Sequence, residues 1–246
     1  MNRYFTQQVL TIGAVVSLEA SIAKHALKVL RQQPGDHLEL AANDHAYLAT
    51  IVTADPFTVS IEADITKPVE LPIAVHLVCG VPKGDKAELI VQKATELGAK
   101  QITFFNSQWA TARWPKERVA KKLARLQAIA QGAAEQSHRN HVPTIDFVAD
   151  TKAASQLSAT AKLVAYEESA KHGEAAQLVK TVTTKPDSLI AVFGPEGGLA
   201  PEEINQFTAL GFELAGLGPR ILRTETAPLY LLSAISTLTE LGGNYA

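Results

Sequence analysis

One cysteine, one methionine and 6% aromatic residues are all that these classes contribute to a chain of 246 residues. A lone cysteine builds neither a disulfide framework nor a cysteine zinc site, so the chain must be held by its own core, as suits a reducing cytoplasm. That residue, Cys79, lies in the largely apolar run Val75–Val81 and reads as a small buried hydrophobe, not a nucleophile. No run approaches the roughly 18 uninterrupted apolar residues of a membrane span. The opening Met1-Asn2-Arg3-Tyr4-Phe5-Thr6 is read as carrying no signal peptide. An excess of one charge is lacking too: 23 basic and 25 acidic residues leave a net charge of −2, so any nucleic-acid binding must come from local basic patches. His138 and His141 stand three apart without a third ligand at a suitable spacing, and no metal is expected. No Ser-His-Asp arrangement is signalled.

What is present divides into two textures. Residues 1 to about 70 read as a small β-rich module. A short helix is expected after Ser21, a turn at Gln33-Pro34-Gly35-Asp36, and strands at His37–Ala41, Ala46–Val52 and Phe57–Ile65. Several short strands in so few residues suggest a small barrel. Lys67-Pro68-Val69-Glu70-Leu71-Pro72, bracketed by prolines, reads as a linker. From residue 73 onward, strands are expected at Ile73–Val81, Gln101–Phe105, Lys162–Tyr166, Ser188–Phe193 and Phe212–Leu217. Helices are expected near 85–98, 116–136, 173–183, 201–210 and 226–241. Such alternation predicts an α/β domain with a parallel sheet, whose ligands bind beyond the carboxyl ends of the strands. The loops after Tyr166, Phe193 and Leu217 therefore draw attention.

Two of those loops are unusual. Gly194-Pro195-Glu196-Gly197-Gly198-Leu199 follows a strand and leads into a helix started by Pro201. Its glycines let a ligand approach the backbone, although alone they also describe a plain strand-to-helix turn. The second begins Gly216-Leu217-Gly218-Pro219-Arg220-Ile221, with Ile221 where a dinucleotide fingerprint needs its third glycine. Too little chain follows for the next strand of such a unit, and no phosphate-loop pattern occurs. Arg223, Thr224, Glu225 and Thr226 then stand as contiguous polar residues: a helix cap, or the polar groups a substrate needs.

Gly-Pro-Glu-Gly-Gly followed one helix and one strand later by Leu217-Gly218-Pro219-Arg220-Ile221-Leu222-Arg223-Thr224-Glu225-Thr226-Ala227 resembles the ribosomal RNA small-subunit methyltransferase E family of the SPOUT superfamily. His25–Arg31 with Gly35-Asp36, Lys83–Lys86, Gln92–Gly98, Ala134–Arg139 and Val142-Pro143 carry the resemblance over about residues 3–242. Ser107-Gln108-Trp109-Ala110 and Leu126-Gln127-Ala128 depart from the residues common there, in a region expected to bear on RNA contacts.

The resemblance implies a PUA-like RNA-binding barrel over 1–70 and a trefoil-knotted methyltransferase domain over 73–246. It further implies a homodimer that uses S-adenosyl-L-methionine to methylate uridine N3 in 16S ribosomal RNA, as naked RNA or in the small ribosomal subunit. The knot rests on resemblance alone, since base rates run against it. By position, Gly194, Pro195, Glu196, Gly197, Gly198, Leu217, Gly218, Ile221, Leu222, Arg223 and Thr224 are the expected cofactor-binding residues. Arg223 is the candidate for stabilising developing charge, with Glu196 or Glu225 to accept a proton. Arg3, Lys28, Arg31, Arg118, Lys121, Lys122 and Arg139 are the expected RNA contacts, Lys24 belongs to the same basic group as Arg3, Lys28 and Arg31, and Tyr4 and Phe5 are either stacking residues or core. On helix 226–241, Leu231, Leu232, Ala234, Ile235, Leu238 and Leu241 cover more than one core face requires, which predicts the dimer contact. A non-catalytic RNA-binding protein and a ribose 2′-O methyltransferase are the rival readings.

Overall fold

The computed structural model describes residues 1–167 and 176–241. These form two compact units: residues 1–70 with 134–142, and residues 71–133 with 143–246. Residues 134–142 thus pack with the N-terminal unit, which sequence order did not suggest.

In the first unit, strands β1 (Arg3–Phe5), β2 (Val15–Ser17), β3 (His37–Ala42), β4 (His45–Ala54) and β5 (Phe57–Asp64) make one sheet in the order β1-β3-β4-β5-β2. The β3–β4–β5 meander is antiparallel, while β1 runs parallel to β3. Asn43 and Asp44, both at positive φ, turn β3 into β4, the conformation that Asn and Asp adopt most readily after glycine. Alternate residues of β4 and β5, among them Ala49, Ile51, Val59 and Ile61, fill the core. Helix α1 (Ala20–Lys24) begins at Ala20, one residue before the expected cap at Ser21, and continues as a π-helical segment, His25–Val29. It adds Ile22 and Ala26 to that core. The β1 and β2 strands were not expected from the sequence: three residues each are too short to display a period.

In the second unit, six strands lie in the order β11-β9-β10-β6-β7-β8, all parallel: β6 (Ala74–Gly80), β7 (Gln101–Phe105), β8 (Thr144–Val148), β9 (Ala161–Ala165), β10 (Ser188–Phe193) and β11 (Glu213–Ala215). Central strands such as β10 are buried almost throughout, as a sheet covered on both faces requires. The helices are α2 (Lys86–Glu96), α3 (Lys116–Gln136), α4 (Thr151–Ser155), α5 (Gln177–Thr183), α6 (Pro201–Ala209) and α7 (Thr226–Ser236), the last continuing as a π-helical segment, Thr237–Leu241. Of the helix expected at 173–183, residues 173–175 lie outside the described residues. Strand β8 and helix α4 were not foreseen; β8 sits at the sheet edge with an alternating pattern of only five residues. The chain moves outward from β6 through β7 to β8, then returns so that β10 inserts between β9 and β6. The direction of strand succession reverses at β6–β10, which is where a parallel sheet opens a ligand crevice.

Candidate functional site

The carboxyl ends of β9, β10 and β11 lead into the three loops singled out above, and all three line one cavity of about 1080 Å³. After β10, the Gly198 N–H donates to the Pro195 carbonyl across 2.8 Å, closing a tight turn with Gly198 at φ +74°. The glycines here serve the turn's own packing. A Cβ on Gly194 would lie 2.9 Å from the Gly198 carbonyl carbon, and one on Gly197 would lie 2.7 Å from the Trp109 carbonyl oxygen. Pro195 in turn rests on the end of β6, where a Cβ on Gly80 would stand 2.5 Å from its ring. After β11, Gly218 takes φ +83°, and the Arg223 carbonyl accepts from Thr226 N (2.8 Å) and Ala227 N (3.0 Å) to start α7. Thr224 is buried, while Arg223 and Ile221 are exposed.

The cavity's charged lining is Lys86, Arg220 and Arg223 with Glu167 and Glu196. Lys86, from the start of α2, is the hub. Its Nζ stands 2.9 Å from Glu196 Oε1 and 3.1 Å from Glu225 Oε2. Glu196 Oε1 also accepts from the Lys83 backbone N–H at 3.1 Å. Burial pushes the Glu196 carboxyl up, but the Lys86 ammonium and backbone donors outweigh it and hold the group below its ordinary range. Burial likewise pushes Glu225 up, yet its own backbone N–H, Lys86 and the Arg223 charge bring it below that range. Both side chains are therefore carboxylates at neutral pH. Glu225 Oε2 is buried, with the Lys86 ammonium as its charge partner.

Two further residues escaped the sequence reading. Lys86 belongs to a stretch read only as carrying the resemblance, and nothing local marks it as reaching residues 196 and 225. Glu203 stands in the first turn of α6, where an acidic residue is ordinarily solvated. It is instead 4% exposed, and its carboxylate accepts from Ser107 Oγ (2.9 Å), Gln108 N (3.0 Å), Ala200 N (2.9 Å) and Thr151 Oγ1. A buried carboxylate is tolerated only when satisfied in this way. Three loops are thereby tied to one group.

The expected RNA residues separate into two kinds. Lys28, Arg31, Arg118, Lys121 and Lys122 are exposed, as is Lys24, and Lys122 Nζ sits 5.2 Å from the centroid of the Trp114 ring. Arg3 and Arg139 are buried and engaged: Arg3 with Glu39 (2.8 Å), His138 O (2.7 Å) and Asn140 Oδ1 (2.9 Å), Arg139 with Glu70. Both pin the 134–142 segment within its unit. Tyr4 is core, its hydroxyl 3.0 Å from His25 Nδ1, whereas Phe5 is half-buried. His138 and His141 lie beside Glu39 and Asp44 at 3.0 Å each. Cys79 is fully buried, which raises its thiol to about 12 and leaves it unreactive.

The family model described as RNA methyltransferase domain matches residues 69–236. The ribosomal RNA small subunit methyltransferase E of Bacillus subtilis is 40% identical, with 98% of each chain covered. The chain belongs to the ribosomal RNA small subunit methyltransferase E family. Its counterpart from Mycobacterium bovis is 33% identical over 92% of this chain and 88% of that one. The family's crystal structure from Neisseria gonorrhoeae, bound to S-adenosyl methionine, is 30% identical with a TM-score of 0.85, covering 97% of this chain and 98% of that one. The family thus supplies an RNA methyltransferase context for the cavity at the β6–β10 crevice. Among the described residues, no helix is long and apolar enough to cross a membrane.

Proposed function

We propose that this protein transfers a methyl group from S-adenosyl-L-methionine to N3 of an unpaired uridine in 16S ribosomal RNA. The observation that carries the reading is one cavity in which Arg223, Glu196 and Lys86 meet the two glycine-bearing loops, with Glu225 paired to the same Lys86. The residues fit the cofactor. Leu217, Ile221 and Leu222 offer apolar walls, the 194–199 and 217–224 loops offer backbone groups, and the Glu167 and Glu196 carboxylates in the lining suit a sulfonium. When bound, the cofactor supplies a methyl group already activated on sulfur, so the protein's contribution is alignment and electrostatics.

The uridine N3 proton must leave as the N–CH₃ bond forms, because the neutral imide nitrogen is a poor nucleophile. Arg223, exposed at the cavity, offers a planar fork to the carbonyl oxygens beside N3, where negative charge develops. Glu196, which lines the cavity, or Glu225 accepts that proton. Both carboxylates pair with Lys86, and Glu196 Oε1 also accepts from the Lys83 backbone N–H. Lys86 keeps both ionised and in place. The products are then N3-methyluridine, the demethylated cofactor and a protonated carboxyl that returns its proton to solvent.

The wider reading follows the family: a PUA-like first unit, a knotted SPOUT-type second unit, and a homodimer. Within the chain, Leu231, Leu232 and Ile235 of α7 are buried, but Tyr230, Ala234, Leu238 and Leu241 recur on one helical face that is partly or fully exposed. That stripe supports the dimer.

Arg223→Ala should lower the single-turnover rate by roughly 100-fold or more, with far less change in cofactor affinity, since its interaction belongs to the transition state. Nucleoside mass spectrometry of the product identifies the acceptor. Equal losses in rate and cofactor affinity would make Arg223 a pocket wall, and a methyl group on a ribose oxygen would refute the N3 assignment.

A further inference from the structure

The chain has two tryptophans, and their surroundings differ. Trp114 is 6% exposed, stacked on Phe147 with ring centroids 5.7 Å apart and capped by Lys122. Trp109 lines the cavity and is 49% exposed, with no ring partner among the described residues. An indole left half in water gives up much of the burial that ordinarily places tryptophan in a core.

The turn that carries Trp109 is firmly held. Ala110 N donates to Ser107 O at 3.2 Å, closing it. The buried Glu203 carboxylate takes the Ser107 hydroxyl and the Gln108 N–H from one side. Arg113 Nη2 donates to the Ser107 carbonyl at 3.2 Å. Glu203 also accepts from Ala200 N, so the turn and the end of the glycine loop share one anchor. Gly197 lies so close that any Cβ there would strike the Trp109 carbonyl. The indole is therefore presented from a fixed backbone, and little ordering cost remains when a flat ligand settles on it.

Single-ligand pockets run from about 300 to about 1000 Å³ and enclose most of their ligand. This cavity, at about 1080 Å³, stands at the top of that range. A half-exposed ring at its margin suits the ligand that arrives from solvent and remains attached to a chain, more than a cofactor enclosed within. We propose that Trp109 is the platform on which an unpaired base of the RNA substrate stacks. This rests on the methyltransferase reading above. Stacking tolerates any base, so Trp109 contributes affinity and placement, whereas choice of uridine belongs to the polar groups.

The test uses the full-length protein, S-adenosylhomocysteine as a non-reactive cofactor, and a short single-stranded fragment of small-subunit ribosomal RNA. With Trp114 buried, RNA should quench the emission of Trp109, and S-adenosylhomocysteine alone should not. Trp109→Ala should weaken RNA binding by roughly 10- to 100-fold, with Trp109→Phe restoring most of it and cofactor affinity unchanged in both. Unchanged RNA affinity in Trp109→Ala, or a matching loss of cofactor affinity, would overturn the proposal; the second result would make the indole a cofactor wall. Failure of the wild type to transfer methyl groups would count against the parent reading alone, since quenching and affinity are measured without reaction.

Discussion

His76 shows how a single side chain is governed by its position. It sits on β6 with Nε2 2.7 Å from Thr103 Oγ1 on β7, and burial pushes its pKa down to about 4 despite the nearby Asp146 charge. The unfolded chain, with an ordinary imidazole near 6.5, then binds more protons than the folded one between the two values. Stability should therefore fall as pH drops from about 6.5 to about 4, by up to about 3 kcal/mol, and level off below that. Denaturant titrations of wild type and His76→Leu across that window check the sign. The variant's curve should be flatter there, whatever its absolute stability. The carboxylates of the cavity illustrate the same dependence on position. From the sequence, Glu196 and Glu225 were equivalent candidates; both pair with Lys86, and Glu196 also lines the cavity.

At the scale of elements, the loops after the strands are shaped by one another. The glycine loop was legible because Gly194-Pro195-Glu196-Gly197-Gly198 follows an apolar strand and precedes a proline-started helix. The reason for Gly197 was not legible, because it lies in the 107–110 turn, 88 residues earlier by the numbering of Trp109. Gly197→Val should displace that turn and weaken cofactor binding by about tenfold or more, equivalent to about 1.4 kcal/mol. Gly198→Ala meets open space and carries only the strain of a positive φ, about 1 kcal/mol. Calorimetry on the two variants separates the mechanisms: comparable losses would mean that ligand approach, not the packing against Trp109, governs this loop. Helix α3 gives the complementary case. Along it Leu126, Ala130 and Ala133 are buried, Val119 and Leu123 on the same stripe are half-buried, and Lys121 and Lys122 are exposed, as a helical period arranges them.

For the whole molecule, two predictions concern association. Neutralising Arg31, Lys121 and Lys122 together should flatten the log–log salt dependence of RNA affinity by about 2–3 units, because each phosphate left without its basic partner keeps its condensed counterion. An unchanged slope would return these residues to a merely solvated role. Arg3 and Arg139 are unsuited to that experiment, because their buried ion pairs with Glu39 and Glu70 make substitution a stability change. Light scattering should give twice the chain mass, and Leu238→Asp should shift it toward the single-chain value. A wild-type monomer at micromolar concentration would refute the dimer.

Local pattern by itself determined the β10 and β7 strands to the residue, the α3 helix, and the three loops that line the cavity. These depend on period, apolar runs and turn residues, which neighbouring positions carry. Tertiary structure alone decided that Lys86 bridges residues 196 and 225, that Glu203 gathers Ser107, Gln108, Thr151 and Ala200, and that residues 134–142 pack with the first unit. It also decided that β10 inserts between β9 and β6. Each is a meeting of groups far apart in the chain. Such a meeting is settled by which buried charges and donors must find partners once the sheet is ordered, and one-dimensional spacing does not record it.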